Sequence, residues 1–284
     1  MKIAKTGFEI KYLWSDYLKY VKDFFQDTHT NMVKDNNHDR HDKDVNYIEN
    51  MILPISEFSS FWRGKTALDF GCGCGRNIRN LLNAADFERV DGCDVSKNNA
   101  EYAKKYVEEY FNFEKDQKKC NTWETNGYDL QPASNEEYDY VMSHIVFQHI
   151  PNYSIRYNIL KDIYRVLKKG GIANIHFMDL DDSVGYYDEH PSSANYDVCY
   201  TTYEKIKSNN SDLPNVNKQQ YNTALDIRIE SREFDYHMWN CRVENVQFLI
   251  EDFKKIGFID VEYNKCVDPY SKKDSFYIRG RKKI

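Results

Sequence analysis

The sequence predicts an α/β protein built on a doubly wound, mainly parallel, seven-stranded sheet, and three observations carry that prediction. Short apolar strands and amphipathic helices alternate from residue 64 to residue 177, a pattern that implies parallel β-α-β units. A Gly-x-Gly-x-Gly turn, Gly71 to Gly75, joins the first of these strands to its helix. After the last helix, two further strands close the chain without a helix between them.

Taken in order, residues 12–25 place Leu13, Trp14, Tyr17, Leu18, Val21, Phe24 and Phe25 at helical spacing, which predicts an opening helix with one apolar face. Residues 26–50 are polar and aperiodic and read as a loop or lid, and Met51 to Trp62 is a second apolar segment. Residues 1–63 are therefore expected to form a helical flank and lid, and 64–284 the main domain. Thr66 to Phe70 is the first strand, and a helix runs from Arg76 to Ala84. Phe87 to Asp94 is the second strand, and Ser96 caps a helix with Ala103, Tyr106, Val107 and Tyr110 on one side. Residues 119–124 give a third strand and Tyr138 to Ser143 a fourth. Ile155, Ile159, Ile163 and Leu167 recur every four residues on the next helix, which Lys168-Lys-Gly-Gly171 ends with cations at the negative end of the helix dipole. Ile172 to Phe177 is the fifth strand, and an insertion of about residues 178–242 is expected to cap the strands' C-terminal edge. A helix from Glu244 to Ile256 stops at Gly257, and strands Phe258 to Asn264 and Ser275 to Arg281 complete the seven.

Composition narrows the function classes. The 284 residues are 41% hydrophobic and 30% charged, with 4 Trp, 23 Tyr and 16 Phe, enough apolar surface for a sizeable core. A formal charge of −6 disfavours non-specific attraction to nucleic acid or to anionic membrane. No apolar run approaches the length of a membrane span, and the first residues lack a signal-peptide pattern, so a soluble, cytoplasmic protein is expected. The 7 cysteines are read as reduced thiols.

The glycine turn can serve several ligands. A nucleoside-triphosphate loop needs Gly-Lys-Ser/Thr, and here Gly75 is followed by Arg76-Asn77; a nicotinamide-dinucleotide loop wants Gly-x-Gly-x-x-Gly. Asp69, two residues before the first glycine, would repel a pyrophosphate and attract a cation. The stretch Leu68-Asp-Phe-Gly-Cys-Gly-Cys-Gly-Arg76 resembles motif I of the class I S-adenosylmethionine-dependent methyltransferases. Gly92-Cys-Asp94-Val-Ser96, Thr125-Asn-Gly-Tyr-Asp-Leu130, the fourth-strand segment Tyr138 to Pro151 of the small-molecule branch, and Ile163 to Gly171 resemble the later motifs in the same order.

The resemblance implies a Rossmann-like fold, S-adenosylmethionine as cofactor, and cofactor contacts from Asp69, Gly71, Cys72, Gly73, Gly75, Arg76, Asp94, Val95, Asn126, Gly127, Ser143, His144 and Val146. Asp94 would accept from both ribose hydroxyls. Asn126 stands where the family usually has Asp, so its amide oxygen would have to keep the adenine contact without a charge. Methyl transfer needs an aligned nucleophile and, for a hydroxyl, a base; His144, His149 and His237 are the candidates. His149 also fits a loop role, and His176 reads as a core residue.

Other clusters carry less. His38 and His41 with Asp39, Asp42 and Asp44, the Asp179, Asp181 and Asp182 group, and Cys72, Cys74 and Cys93 each have a simpler reading as solvated loop or small packing residues, so no metal is expected. The capping tyrosines Tyr186, Tyr187, Tyr196, Tyr200 and Tyr203 could stack on an acceptor. The leading expectation is O-methylation of a sugar or other metabolite. Methylation of protein or RNA, and a cofactor-binding protein without transferase activity, stand as alternatives; the acceptor's identity and the oligomeric state are left open.

Overall fold

The computed structural model describes residues 62–84, 87–111, 118–147, 150, 153–179, 193–194, 240–243, 246–267 and 274–284. The elements in chain order are β1 (Thr66–Phe70), α1 (Arg76–Ala84), β2 (Arg89–Asp94), α2 (Lys97–Tyr110), β3 (Thr122–Glu124), β4 (Tyr138–Ser143), α3 (Tyr153–Val166), β5 (Leu167–Asp179), β6 (Ser193–Ala194), β7 (Asn240–Val243), α4 (Val246–Ile256), β8 (Phe258–Val267) and β9 (Asp274–Lys282). The expected opening helix, the polar lid, most of the insertion and its tyrosines lie outside the described residues, as do His38, His41 and the Asp181–Asp182 pair.

Seven strands form the expected sheet. β3, β2, β1, β4 and β5 lie side by side in parallel, β9 joins β5 antiparallel, and β8 pairs with β9 at the edge. Two short strands from within the insertion are additional: β7 pairs in parallel with β5, and β6 with β7. Met178 of β5 pairs with Ser275 on one edge and with Arg242 on the other, so β7 occupies the edge used by β4 and lies beyond β4's last pair, Ser143 with Ile175. The end of the insertion thus reaches the C-terminal side of β4.

Alternation along the strands feeds two cores. Leu68, Phe70, Val141, Ala173 and Ile175 pack on one face against Ile159, Ile163 and Val166 of α3 and Leu249 and Phe253 of α4. Ala67, Val90, Tyr140 and Met142 pack on the other against Ile78, Leu81 and Leu82 of α1, Ala103 and Val107 of α2, and Trp62. Ser96 caps α2 as its sequence predicts, its Oγ accepting from Asn99 N at 3.3 Å.

One element departs from the expectation. The helix ends at Val166, and Lys168 to Gly171 sit inside β5 instead of forming a turn ahead of it. The register from Tyr138–Leu167 to Tyr140–Ile172 shows surplus residues on β5, absorbed as a bulge with Gly170 at φ 78°. Among the described residues no helix is long and apolar enough to cross a membrane.

Candidate cofactor site and reacting edge

The sheet order reverses direction between β1 and β4, and the loops leaving the C-terminal ends of such neighbours open a crevice for a ligand. The glycine loop lines one side. Gly71 N and Cys72 N both donate to Cys93 O, at 2.8 and 3.0 Å, and Gly75 N donates to Cys72 O at 3.0 Å, so the loop is folded back on the end of β2. Gly71, at φ 76°, has no room for a side chain, because a Cβ there would stand 2.2 Å from Val146 Cγ2. Gly75, at φ 90°, lies against Ala103 of α2, where a Cβ would meet backbone at 3.0 Å.

Val146 belongs to the exit turn of β4, which the glycine loop therefore touches directly. Ser143 Oγ donates to Phe70 O at 2.9 Å and ties the ends of β4 and β1 together. Between His144 and Val146, Ile145 holds φ 57°, a left-handed conformation that is strained for a β-branched residue and is found where surrounding contacts over-determine the chain.

Two buried carboxylates stand near the C-terminal ends of β1 and β2, beside the glycine loop. Asp94, 7% exposed, accepts from Gly73 N at 2.9 Å through Oδ2, and from Ser96 N at 2.8 Å and Asn99 Nδ2 at 3.3 Å through Oδ1. It joins the glycine loop to the start of α2. Asp69 is 1% exposed, and neither of its oxygens has a hydrogen-bond partner. Burial pushes its acidity from the ordinary 3.8 to about 7, Arg76 pulling it down and Asp94 adding to the rise. A buried carboxyl with no donor is costly unless a cation completes it. Its position at the end of β1, beside glycine amides and a second acid, suits a ligand with a positive end and hydroxyls and no phosphate.

Asn126 has a different employment from the one expected. Its Oδ1 accepts from Tyr128 N at 2.8 Å and Asp129 N at 2.9 Å, and its Nδ2 donates to Asp129 Oδ1 at 3.0 Å. Both lone pairs of the amide oxygen hold the turn, so an adenine contact through that oxygen would break it. Gly127, next to it, is buried and donates its N–H to Thr125 Oγ1 at 3.2 Å. Val95 is half-buried behind Asp94.

Burial is the largest cause pushing Cys72 and Cys93 well above the ordinary thiol value and Cys74 up to about 12, with Asp94 adding to each. Cys72 and Cys74 fill space between the glycines, and Cys93 lies on β2 behind them. No set of three or more His, Cys, Asp or Glu among the described residues could hold a metal ion.

Of the three histidines put forward as bases, His149 and His237 lie outside the described residues. His144 follows β4 directly and is 6% exposed. Its Nδ1 stands 2.5 Å from Tyr277 Oη on β9. Tyr277 is the residue the sequence did not single out, because its partner is 133 positions away and strand alternation alone does not reveal which strand β9 joins. His176 is buried as a core residue should be, and its ring meets both others edge to face, at 4.9 Å from His144 and 5.1 Å from Tyr277.

Comparison with known proteins follows the same lines. Residues 67–171 match a family model described as a methyltransferase domain. The fold is similar to a Methanosarcina mazei S-adenosylmethionine-dependent methyltransferase, with 15% identity, a TM-score of 0.55 and coverage of 78% of this chain and 94% of that one. It is also similar to Haemonchus contortus phosphoethanolamine N-methyltransferase 2, solved with phosphomonomethylethanolamine and S-adenosylhomocysteine, at 16% identity and a TM-score of 0.51, covering 83% of this chain and 53% of that one. A Haloferax volcanii protein solved in complex with a methyltransferase activator matches at 16% identity and a TM-score of 0.51, covering 93% and 98%. No curated protein matches the chain.

Proposed function

We propose that this chain, whose residues 67–171 match a methyltransferase domain, is a class I S-adenosylmethionine-dependent methyltransferase and that it methylates a small molecule, at a hydroxyl of a sugar or other metabolite. The observation that carries the cofactor reading is the partnerless carboxyl of Asp69 at the end of β1. The cofactor, when bound, supplies an activated methyl on a sulfonium. Asp69 would hold the cationic amino end, the amides of the Gly71–Gly75 loop would approach the ligand's main chain, and Asp94 would accept from the ribose hydroxyls. Its existing bonds to Gly73 and Ser96 keep the carboxylate aimed at the crevice.

Three features support a compact acceptor. The reacting edge at Ser143 and His144 is buried, which suits a molecule that enters a recess better than a broad macromolecular surface. The end of the insertion is delivered by β7 beyond the exit of β4. The acidic charge offers no general attraction for RNA. In this reading the division into a flank and lid over residues 1–63, a domain over 64–284 and a cap at about 178–242 gives the acceptor a closed pocket, and His144 removes the hydroxyl proton.

Two measurements test it. Calorimetry with S-adenosylhomocysteine should show binding, and its absence overturns the cofactor assignment. Label from methyl-labelled S-adenosylmethionine should then enter the small-molecule fraction of an extract. Label found in protein or RNA alone would replace this reading with the macromolecular one, and binding without transfer to any fraction would favour a cofactor-binding protein.

A further inference from the structure

Outside the glycine loop, one group of titratable rings converges on the reacting edge. His144 leaves β4, while His176 and Tyr277 are direct cross-strand partners in the β5–β9 ladder. The imidazole of His144 and the phenol ring of Tyr277 lie nearly parallel, 3° apart at 5.9 Å, with Tyr277 Oη against Nδ1 at 2.5 Å. His176 is wedged against both rings at 65° and 62°. Further along the same ladder and on the same face, Arg279 Nε donates to Asn174 Oδ1 at 3.1 Å, which fixes the strand that carries Tyr277. A side chain at the end of β4 is thus held by two others rooted in paired strands.

We propose that Tyr277 is the positioning residue of His144: its phenol oxygen accepts from Nδ1–H and keeps the imidazole in the tautomer whose Nε2 carries the lone pair. This rests on the methyltransferase reading and adds to it which nitrogen acts and what selects it. An acceptor oxygen forms its bond to the methyl carbon as the carbon–sulfur bond breaks toward sulfur, and the acceptor's proton passes to Nε2. The ring is then an imidazolium with both nitrogens protonated, and later returns the Nε2 proton to solvent. Tyr277 Oη accepts from Nδ1–H before and after the transfer, so the bond persists through the cycle and shields a charge formed in a buried place. Were the phenol to donate to Nδ1 instead, the neutral ring would carry its proton on Nε2 and have no lone pair to offer.

The full chain, labelled with nitrogen-15 and saturated with S-adenosylhomocysteine, allows both nitrogens of His144 to be read by long-range proton–nitrogen correlation, with His144→Gln identifying the signals. At a pH where the ring is neutral, the expected spectrum has the proton on Nδ1, and Tyr277→Phe moves it to Nε2. A wild-type ring protonated on Nε2, or a Tyr277→Phe pattern identical to the wild type, overturns the proposal. Should Tyr277→Phe fail to fold, the wild-type spectrum alone decides. Failure of S-adenosylhomocysteine to bind would count against the methyltransferase reading instead, and the tautomer is equally readable in the ligand-free chain.

Discussion

Replacing Asp69 by asparagine should make the ligand-free protein more stable near neutral pH and less able to bind its cofactor. The folded chain holds this carboxyl at about 7 against an ordinary 3.8, because burial removes water and no donor replaces it. Between those two values the folded state keeps a proton that the unfolded state has lost. The contribution of Asp69 to wild-type stability therefore falls as pH rises from about 4 to about 7 and is lowest above that. At about 1.4 kcal/mol per tenfold change in proton affinity, the displacement corresponds to about 4 kcal/mol. For a chain of this size that is on the order of 10 °C in melting temperature. The amide introduced by Asp69→Asn cannot titrate, so the variant's melting temperature should lose this component of its pH dependence and exceed the wild type's at about pH 8. A ligand with an ammonium end reverses the order: the wild type should bind S-adenosylhomocysteine more tightly at about pH 8 than at about pH 5, releasing a proton at the lower pH, and the variant should show neither effect. Parallel melting profiles for the two proteins across that range would refute the reasoning.

Further outcomes follow from the same geometry. Asp94→Ala should weaken S-adenosylhomocysteine binding by about 1.5–3 kcal/mol, the worth of hydrogen bonds to a charged acceptor, measured by calorimetry; unchanged affinity would remove Asp94 from the site. Gly71→Ala should cost about 2–5 kcal/mol in denaturant unfolding, adding a positive-φ penalty of about 1–2 to the overpacking against Val146. Adding Val146→Ala should recover the overpacking part alone, and full recovery would show that the φ of Gly71 carries no cost. Iodoacetamide at about pH 8 should leave Cys72, Cys74 and Cys93 unmodified in the native chain and modify them after unfolding, as peptide mass spectrometry would report; rapid native labelling would contradict their neutral, buried state.

What the sequence made legible was local. Asp69 and Asp94 are visible because each sits at the C-terminal end of a strand, two residues before the glycine turn or before a helix cap, and both features are written within about five positions. Asn126 could have been read better from chemistry already present: Asn-Gly-Tyr-Asp is a turn sequence, and an Asn there bonds its own backbone two and three residues on. Gly170 does adopt the positive φ its helix-ending context suggested, but β4 recruits the surrounding residues into the sheet as a bulge, a tertiary choice that periodicity does not encode. Tyr277 is the extreme case. Its role depends on β9 entering antiparallel beside β5 in one register, since a shift of a single residue would turn the phenol to the opposite face.

The charge of the site also has a reading that the net value of −6 could not supply. Burial, with the charge of Asp94 beside them, keeps the carboxyl of Asp69 and the thiols of Cys72 and Cys93 from ionising readily in the ligand-free crevice. Arg76 offsets part of this for Asp69 and Cys74, yet Asp69 still sits near 7. A cation arriving at the end of β1 therefore does more than form one ion pair: it lets Asp69 ionise and supplies the partner that its two oxygens lack. The glycine loop is already bonded to β2 and Asp94 to the loop, so little has to be ordered when that happens. Selectivity for a positively charged, phosphate-free cofactor is in this way built into the burial of one carboxyl, and it should strengthen as pH rises through about 7, where a site relying on an exposed acid would show no change.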